Sequence, residues 1–386
     1  MSHFLKKQYS PYQFAIVRII FGVYLTVFFA RILPFAKELF SNEGMLSTAD
    51  KTLFLDGFLA THLYQLATPQ VVTVLCALLV CSSLLFTAGI YRQWQAFFLW
   101  VGWCLFANLN PLSIDPSLPF IGLLLLAFAV VPAGEPLALT GSNRSTSWYM
   151  PAVLYWGLWL VWGLSFSVSG IEKYQSELWR EGTAVYYFHT GVLSIDTLVS
   201  QTLTALPLFI GVSITWLILY SQLLALPAIL TSVTRKLFWF STFGLFFFSV
   251  FVLDLLPVVL GMLVFYLFLF DSTWFARNYK RAVVYIDSGC SQCSWFGRFL
   301  QTESFEKPLT VTSFLDPTLE TYLTQQEITA MREMVYVEDG IAYRGPDAII
   351  QSVASLGGVW RLIIALRIVP KKFRESLYQF MSSHRR

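Results

Sequence analysis

The chain has 386 residues, of which 56% are hydrophobic and only 13% are charged, and its formal net charge is +3. A soluble globular domain carries about twice that charged fraction, so the composition excludes an ordinary soluble protein and indicates an integral membrane protein. The small net charge, with no basic run that contains interleaved aromatic residues, gives no support to nucleic-acid binding.

Repeated apolar stretches of membrane-spanning length predict a polytopic α-helical domain with about eight spans. The first is too long for a cleavable signal peptide, so we expect it to remain as a helix. The domain is predicted over residues 8–276, in a lipid bilayer. Its spans are 12–33, 70–90, 94–110, 118–133, 149–170, 206–230, 236–256 and 257–276.

Lysines and arginines in the short loops predict the orientation of these spans. Lys6 and Lys7 precede the first span. When the N-terminus is placed in the cytoplasm, Arg92 and Arg235 also fall on the cytoplasmic side, and the pattern is self-consistent only if the number of spans is even. This pattern predicts a bacterial inner-membrane protein whose N-terminus and C-terminal domain are cytoplasmic. Lys173 then lies on the opposite side of the membrane.

A polar segment follows the fifth predicted span and reads SGIEKYQSELWREGTAVYYFHTG, residues 169–191. Lys173 and Glu177 are four residues apart, so they are predicted to share one helix face. A lysine at a membrane boundary can simply extend to the surface. In the functional interpretation Lys173 is partly desolvated and acts as a base, with Glu177 and His189 as candidate binding residues.

Three residues of the apolar region are further candidates for binding a ligand. Arg18 lies within the first predicted span, where a buried charge is costly and usually functional. An interior ion pair that joins helices is an equal alternative for it. Asn110 and the aromatic group around Tyr187 are candidates for lining a hydroquinone pocket, although aromatic stripes more often pack in a core.

The membrane region resembles the HTTM family, which comprises vitamin K-dependent γ-carboxylase-like membrane domains. The family pattern G-x-x-K-x-x-x-x-x-W-x-x-G is matched by Gly170, Lys173, Trp179 and Gly182. Weaker similarities are IVRIIFG, FSNEGMLS and ANLNPLSIDPSLPFIG. The resemblance implies that Lys173 is the base that deprotonates a vitamin K-like hydroquinone, so a quinone is the expected cofactor and Trp179 a candidate contact.

After Arg281 the composition changes, because charged residues return and the apolar runs shorten to AVVYI, LTVTSF and MVYVED. Helical periods separate these short runs. This alternation predicts a small α/β domain over residues 281–386.

The segment VVYIDSGCSQCSWFGRFL predicts a strand, a turn and a helix, with Cys290 at the helix N-terminus and Cys293 in its first turn. Unpaired backbone N–H groups and the helix dipole favour a thiolate at Cys290. The spacing of the two cysteines lets their sulfurs form a disulfide, which predicts thioredoxin-like redox chemistry. A relic pair used only for packing stays an alternative, and too few further ligands are present to predict a metal site.

This segment resembles the DCC-type thiol–disulfide oxidoreductase family, whose D-x-x-C-x-x-C signature is matched by Asp287, Cys290 and Cys293. The similarity continues through VEDGIAYRGPDAII and LGGVWRLIIALRIVPKKFRESLYQFMSSHRR. It implies a thioredoxin-like fold in which Cys290 is the nucleophile, Cys293 the resolving thiol and Asp287 a proton acceptor.

Three functions are compatible with these features. The first is a membrane redox enzyme that couples thiol–disulfide exchange at Cys290 and Cys293 to a lipophilic quinone bound near Lys173, with a thiol reductant or protein thiol as partner. The second is a carboxylase-like enzyme that modifies a peptide substrate. The third is a non-enzymatic membrane scaffold or immunity-type binding protein whose cysteines are relics. We take the first as the prediction.

Overall fold

The computed structural model describes residues 6–7, 9–45, 57–113, 115–140, 148–271, 274, 282–287, 289–304, 309–314, 316, 318 and 333–383. It divides into two compact units. The first consists of Met1–Lys7 and Tyr12–Phe270, and the second of Gln8–Pro11 and Asp271–Arg386.

The first unit is built from helices. In chain order these are α1 (Pro11–Ile32), α2 (Ala36–Phe40), α3 (Gly57–Leu66), α4 (Pro69–Ala88), α5 (Arg92–Leu109), α6 (Leu118–Val130), α7 (Ala152–Gln175), α8 (Glu177–Arg180), α9 (Ala184–Thr190), α10 (Leu198–Ala205), α11 (Leu208–Leu223), α12 (Ala225–Ala228), α13 (Ser232–Ser249) and α14 (Leu256–Leu269). Two short strands, β1 (Lys6–Lys7) and β2 (Met150–Pro151), pair antiparallel.

The ends of α4 illustrate how local sequence sets these helices. Its N-terminus is capped by Thr68, whose side chain accepts the backbone N–H of Val71, and Pro69 occupies the first turn, where no N–H is needed. The helix ends at Gly89, which takes a left-handed conformation with φ of 72°. These local features set the two ends of the helix.

Every predicted span contains a helix, but few of these helices are long and apolar enough to cross a membrane. Among the described residues three qualify, Pro11–Phe40, Pro69–Ala88 and Ala152–Gln175. A fourth is added when Leu198–Ala205 and Leu208–Leu223, which are bent by 109°, are counted as one span. The prediction of eight spans is therefore not supported.

Helix length and end composition explain the difference. α6 has 13 residues and α14 has 14, so at 1.5 Å per residue both fall about 10 Å short of a hydrocarbon core of about 30 Å. α5 and α13 are longer, but their first turns contain Arg92 and Arg235. These polar turns lower the mean hydropathy of both helices.

The second unit contains a four-stranded sheet of β3 (Ala282–Ile286), β4 (Thr310–Ser313), β5 (Val335–Glu338) and β6 (Ile341–Arg344) in the order β4-β3-β5-β6. β4 pairs parallel with β3, whereas β5 pairs antiparallel with β3 and with β6. The described helices are α15 (Ser291–Glu303), α16 (Gly345–Ser355) and α17 (Lys371–Ser383), with a 3-10 segment at Gly358–Ile368.

Local sequence again explains the strand connections. A parallel pair needs a crossover, and α15 lies in the connection between β3 and β4. β5 and β6 are joined by Asp339 and Gly340, both with positive φ, 49° and 87°. An Asp-Gly pair favours this tight hairpin because both central residues of the turn need left-handed backbone. Tyr285, Val335 and Val337 form a buried core cluster of the sheet.

Candidate functional site

The dithiol lies in the turn between β3 and α15, as the sequence predicts. Cys290 is the N-cap of α15, and its Sγ accepts the backbone N–H of Cys293 at 3.2 Å. This contact uses one of the N–H groups that have no partner within the first turn of a helix. It favours negative charge on the sulfur of Cys290, which is the form that attacks disulfides.

Both sulfur-bearing residues are half-buried, and no disulfide links the cysteines that the structure describes. Cys290 and Cys293 therefore stand as a dithiol on the first turn of one helix. Such a pair can exchange with an external disulfide and then close into an internal one.

Asp287 holds the turn that presents Cys290. Its Oδ1 accepts the backbone N–H of Gly289 at 2.9 Å, and its carbonyl oxygen accepts the N–H of Cys290 at 3.3 Å. A carboxylate that accepts the N–H two residues ahead forms an Asx turn. This is a positioning role, and the proton-acceptor role implied by the family resemblance stays a prediction.

A second polar turn, which was not predicted from the sequence, lies at the same edge of the sheet. β3 and β4 run parallel, so the residue after Ser313 follows the same edge as Asp287, and Phe314 donates its N–H to Ile286 O at 3.1 Å. The signal that could have revealed this turn is the sequence DPT one residue after the LTVTSF run.

Asp316 is the centre of this second turn. It accepts the hydroxyl of Thr318 at 2.6 Å, the N–H of Thr318 at 2.9 Å and the hydroxyl of Thr312 at 2.8 Å. These bonds, first that from the Thr318 side chain, lower the pKa of the Asp316 carboxyl below its usual value. Thr318 also lies 2.9 Å from the hydroxyl of Tyr285, which connects the turn to β3.

In the first unit, Lys173 lies near the end of α7 and has two described contacts. Its Nζ donates to Ser169 Oγ at 2.7 Å and lies 5.4 Å from the centre of the Trp179 ring. The ring of Trp179 packs against Phe188 at 6.1 Å. The structure therefore brings together two sequence-predicted residues, Lys173 and Trp179. Ser169 was missed, although its position four residues before Lys173 on one helix was the available signal.

The prediction that Lys173 and Glu177 share one helix face is wrong. α7 ends at Gln175, and Ser176 has extended backbone with ψ of 132°. Glu177 begins the separate helix α8 and is exposed. Because the helix breaks between the two residues, their four-residue spacing does not place them on a common face.

The two glycines of the sequence pattern have physical reasons to be glycine. A Cβ on Gly170 would lie 2.5 Å from the backbone nitrogen of Leu223, so α7 and α11 approach closely here. Gly182 has φ of 80°, a conformation that side-chain-bearing residues rarely adopt. The pattern therefore encodes a close helix contact and a turn around the lysine.

His189 and Tyr187 lie on α9, near Phe188. His189 is buried, and its Nδ1 lies 2.6 Å from Val185 O, one turn earlier on the same helix. Tyr187 is exposed and packs edge-on against Tyr186 at 5.6 Å. Their roles as binding residues stay predictions.

The described contacts of Arg18 and Asn110 are with other protein groups of the first unit. Arg18 is fully buried and donates to Glu135 at 2.9 Å, which corresponds to the ion-pair alternative. The Asn110 amide donates to Leu39 O at 2.9 Å, and its Oδ1 accepts the N–H of Leu112 at 3.0 Å. Asn110 thus connects the turn after α5 to α2.

Within the described ranges, no group of three or more His, Cys, Asp or Glu side chains is placed to hold a metal ion. Polar side chains of the second unit also pair away from the dithiol, since Gln351 donates to Glu338 at 3.0 Å and Arg374 pairs with Asp347.

Comparison with known proteins gives a family match for the C-terminal part of the chain, which contains the dithiol. Residues 284–386 match the family described as DCC1-like thiol-disulfide oxidoreductase. A curated relative is the uncharacterized protein YuxK of Bacillus subtilis (strain 168), which is 28% identical over 105 residues, 27% of this chain and 77% of that protein. No solved structure matches the chain significantly.

Proposed function

We propose that this chain is a membrane-anchored thiol–disulfide oxidoreductase. The single observation that carries the proposal is the N-cap position of Cys290, whose sulfur accepts the N–H of Cys293. The match of residues 284–386 to a thiol–disulfide oxidoreductase family supports the redox role. The sheet order, with β3 between a parallel and an antiparallel neighbour and α15 directly after it, supports a thioredoxin-like fold for the second unit.

The proposed thiol reaction has two steps. The Cys290 thiolate attacks a partner disulfide, forms a mixed disulfide and releases the first partner thiol. The Cys293 thiol then loses its proton and attacks the Cys290 sulfur, which releases the second partner thiol and leaves a protein disulfide. Two electrons pass from the dithiol to the partner, and a thiol reductant restores the protein by the reverse sequence.

Cys293→Ser tests these roles in the full chain. With oxidised glutathione as the disulfide, this variant should retain glutathione on Cys290, whereas the wild type should release it and close its own disulfide. Mass spectrometry of the intact protein separates the two products. Cys81→Ser is the matched control, because Cys81 is an exposed thiol on α4 outside the dithiol, and it should behave as the wild type. Equal glutathione release from Cys293→Ser and wild type would contradict the proposal.

The second part of the proposal is a lipophilic quinone that binds beside Lys173 and exchanges electrons with the dithiol across the membrane, since the predicted orientation places Lys173 and the dithiol on opposite sides. The observation that supports it is the Lys173 ammonium between Ser169 and the ring of Trp179. Exposed apolar side chains around this position, Ile171, Leu178 and Phe188, suit a lipophilic ring. When the dithiol gives two electrons to a quinone, a disulfide forms and the two thiol protons are released, while the quinone takes up two protons and becomes a hydroquinone. Lys173 supplies one of these two protons in that direction and removes one in the reverse direction.

Lys173→Met tests this second part. The reduced protein in lipid nanodiscs is mixed with menadione, and loss of quinone absorbance is followed. We expect the rate to fall by roughly a hundredfold, the lower range for loss of an acid–base group, while reaction with oxidised glutathione is unchanged. Lys173→Arg is the control for charge. An unchanged menadione rate in Lys173→Met would overturn the quinone assignment and leave the thiol function intact.

A further inference from the structure

The second unit concentrates its exposed apolar side chains near its C-terminal end. Among its described residues, seven large apolar side chains are exposed, and Trp295 and Ile341 are two of them. The other five lie within fifteen positions of one another, after α16: Leu366, Ile368, Phe373, Leu377 and Phe380. A cluster of this kind marks a surface that is covered in the working protein.

Helix α17 turns its apolar face away from the residues that anchor it. Its Tyr378 is 5% exposed and accepts the N–H of Met334 at 3.1 Å, and Arg374 pairs with Asp347. Phe373 and Leu377 are four positions apart and Phe380 is three further, so they form one stripe, 64%, 53% and 66% exposed. A surface helix normally buries its apolar stripe.

The same segment is strongly basic. Gly358–Ser383 contains one acidic residue, Glu375, and five basic ones, Arg361, Arg367, Lys371, Lys372 and Arg374. Arg361 and Lys372 are exposed. An apolar stripe on a helix with basic flanks is the composition of helices that lie in the interface of anionic membranes. A second copy of the segment would bring like charges together, which disfavours self-association.

We propose that the apolar face of α17 docks onto an anionic lipid surface, with Phe373, Leu377 and Phe380 among the acyl chains and Lys372 at the headgroups. This inference rests on the proposed membrane anchoring, because the spanning helices of the same chain keep the second unit beside a bilayer. Docking then restricts the positions that the Cys290 dithiol can adopt relative to the membrane surface.

The test uses the full chain in nanodiscs. The five native cysteines are replaced by alanine, and Ser376→Cys, next to the stripe and exposed, carries a bimane fluorophore. Nanodiscs contain either phosphatidylcholine or a mixture with phosphatidylglycerol, each with a brominated acyl chain that quenches bimane on contact. We expect quenching in the phosphatidylglycerol discs that is at least several-fold greater than in the phosphatidylcholine discs. Incorporation into the disc reports membrane anchoring separately from docking.

Two variants identify the residues responsible. Leu377→Ser should abolish the quenching, and Lys372→Gln should weaken docking by about fivefold, the effect of one basic residue near an anionic surface. Ile341→Ser is the matched control, because Ile341 is 59% exposed on β6 of the same unit, and it should leave the quenching unchanged.

Hydrogen exchange of α17 in the cysteine-containing wild type provides a second measurement that needs no label. We expect slower exchange in phosphatidylglycerol than in phosphatidylcholine discs. Equal quenching and equal exchange in the two lipids would overturn the proposal. Slow exchange without quenching by brominated lipid would also overturn it, because a protein would then cover the stripe.

Discussion

Glu135 accepts a hydrogen bond from the guanidinium of Arg18 at 2.9 Å, although 117 positions separate the two residues. Both side chains are almost completely buried, and Nε of Arg92 lies 2.9 Å from the same carboxylate oxygen. Other donors of the two guanidinium groups reach backbone carbonyls, and Nη2 of Arg18 donates to Leu137 O at 2.6 Å. One carboxylate thus holds two buried arginines and joins α1 and α5 to the segment after α6.

We predict that Glu135→Gln strongly destabilises the first unit. The substitution leaves two buried guanidinium groups without their counter-charge, which costs about 3–5 kcal/mol for a broken buried pair. Thermal unfolding of the purified protein in detergent measures the loss. The control is Glu38→Gln, since Glu38 pairs with Lys37 at 3.6 Å on the surface and should cost less than about 1 kcal/mol. Equal effects of the two variants would show that the buried pair is not a main support of the fold.

A glycine pair on α7 gives a second prediction. Gly170→Ala places a Cβ against the backbone of α11, 2.5 Å from the nitrogen of Leu223, so the helices must separate at a cost of about 1–3 kcal/mol. Gly157→Ala on the same helix meets nothing within 4 Å and should stabilise α7 by about 1 kcal/mol. The midpoints of thermal unfolding should therefore move in opposite directions. A shift of the same sign in both variants would contradict the close approach.

The turn before the dithiol gives a third prediction, which separates positioning from proton transfer. Asp287→Asn keeps an oxygen that can accept the Gly289 N–H, whereas Asp287→Ala does not. We expect Asp287→Asn to react with oxidised glutathione at nearly the wild-type rate. Asp287→Ala should be about fivefold slower, since the lost hydrogen bond contributes about 1 kcal/mol. If Asn is as slow as Ala, the carboxylate acts as the proton acceptor instead.

The Asp316 turn gives a prediction for pH dependence. Hydrogen bonds from Thr318 and Thr312 lower the pKa of Asp316 from its usual 3.8, so the folded protein binds this proton less readily than the unfolded chain. The carboxylate therefore stabilises the fold fully above pH 3.8, and the contribution disappears as the pH falls through the lower pKa of the folded state. The stability difference between wild type and Asp316→Asn should follow this course in thermal unfolding across an acid series. A difference that is constant with pH would contradict the assigned hydrogen bonds.

The dithiol turn was predictable because its features are local. One stretch of about 18 residues contains a strand of mainly β-branched residues, a glycine before Cys290 and aromatic residues at helical spacing after it. Each of these features acts through the backbone preferences of its own residues. The helices of the first unit were predictable for the same reason. Their assignment as spans was not, since α6 and α14 end after 13 and 14 residues.

The contacts around Lys173 were only partly predictable. The spacing of Lys173 and Trp179 carried the family resemblance, but the break at Ser176 removed Glu177 from the lysine's helix face. A single extended residue is enough to change which side chains meet, and the sequence of the segment does not mark that residue. The roles of Lys173, Trp179 and His189 with a quinone, and the orientation in the membrane, remain predictions.

The sequence by itself determined the composition class, the described helices of the first unit and the strand–turn–helix unit that carries Cys290 and Cys293. These properties follow from hydropathy, periodicity and capping, which act over one or two helical turns. Only the tertiary structure decided that Arg18 pairs with Glu135, that Gly170 contacts α11 and that the apolar stripe of α17 faces outward. Each of these depends on which distant segments pack together, because burial and ion pairing are properties of the three-dimensional neighbourhood and not of the local chain.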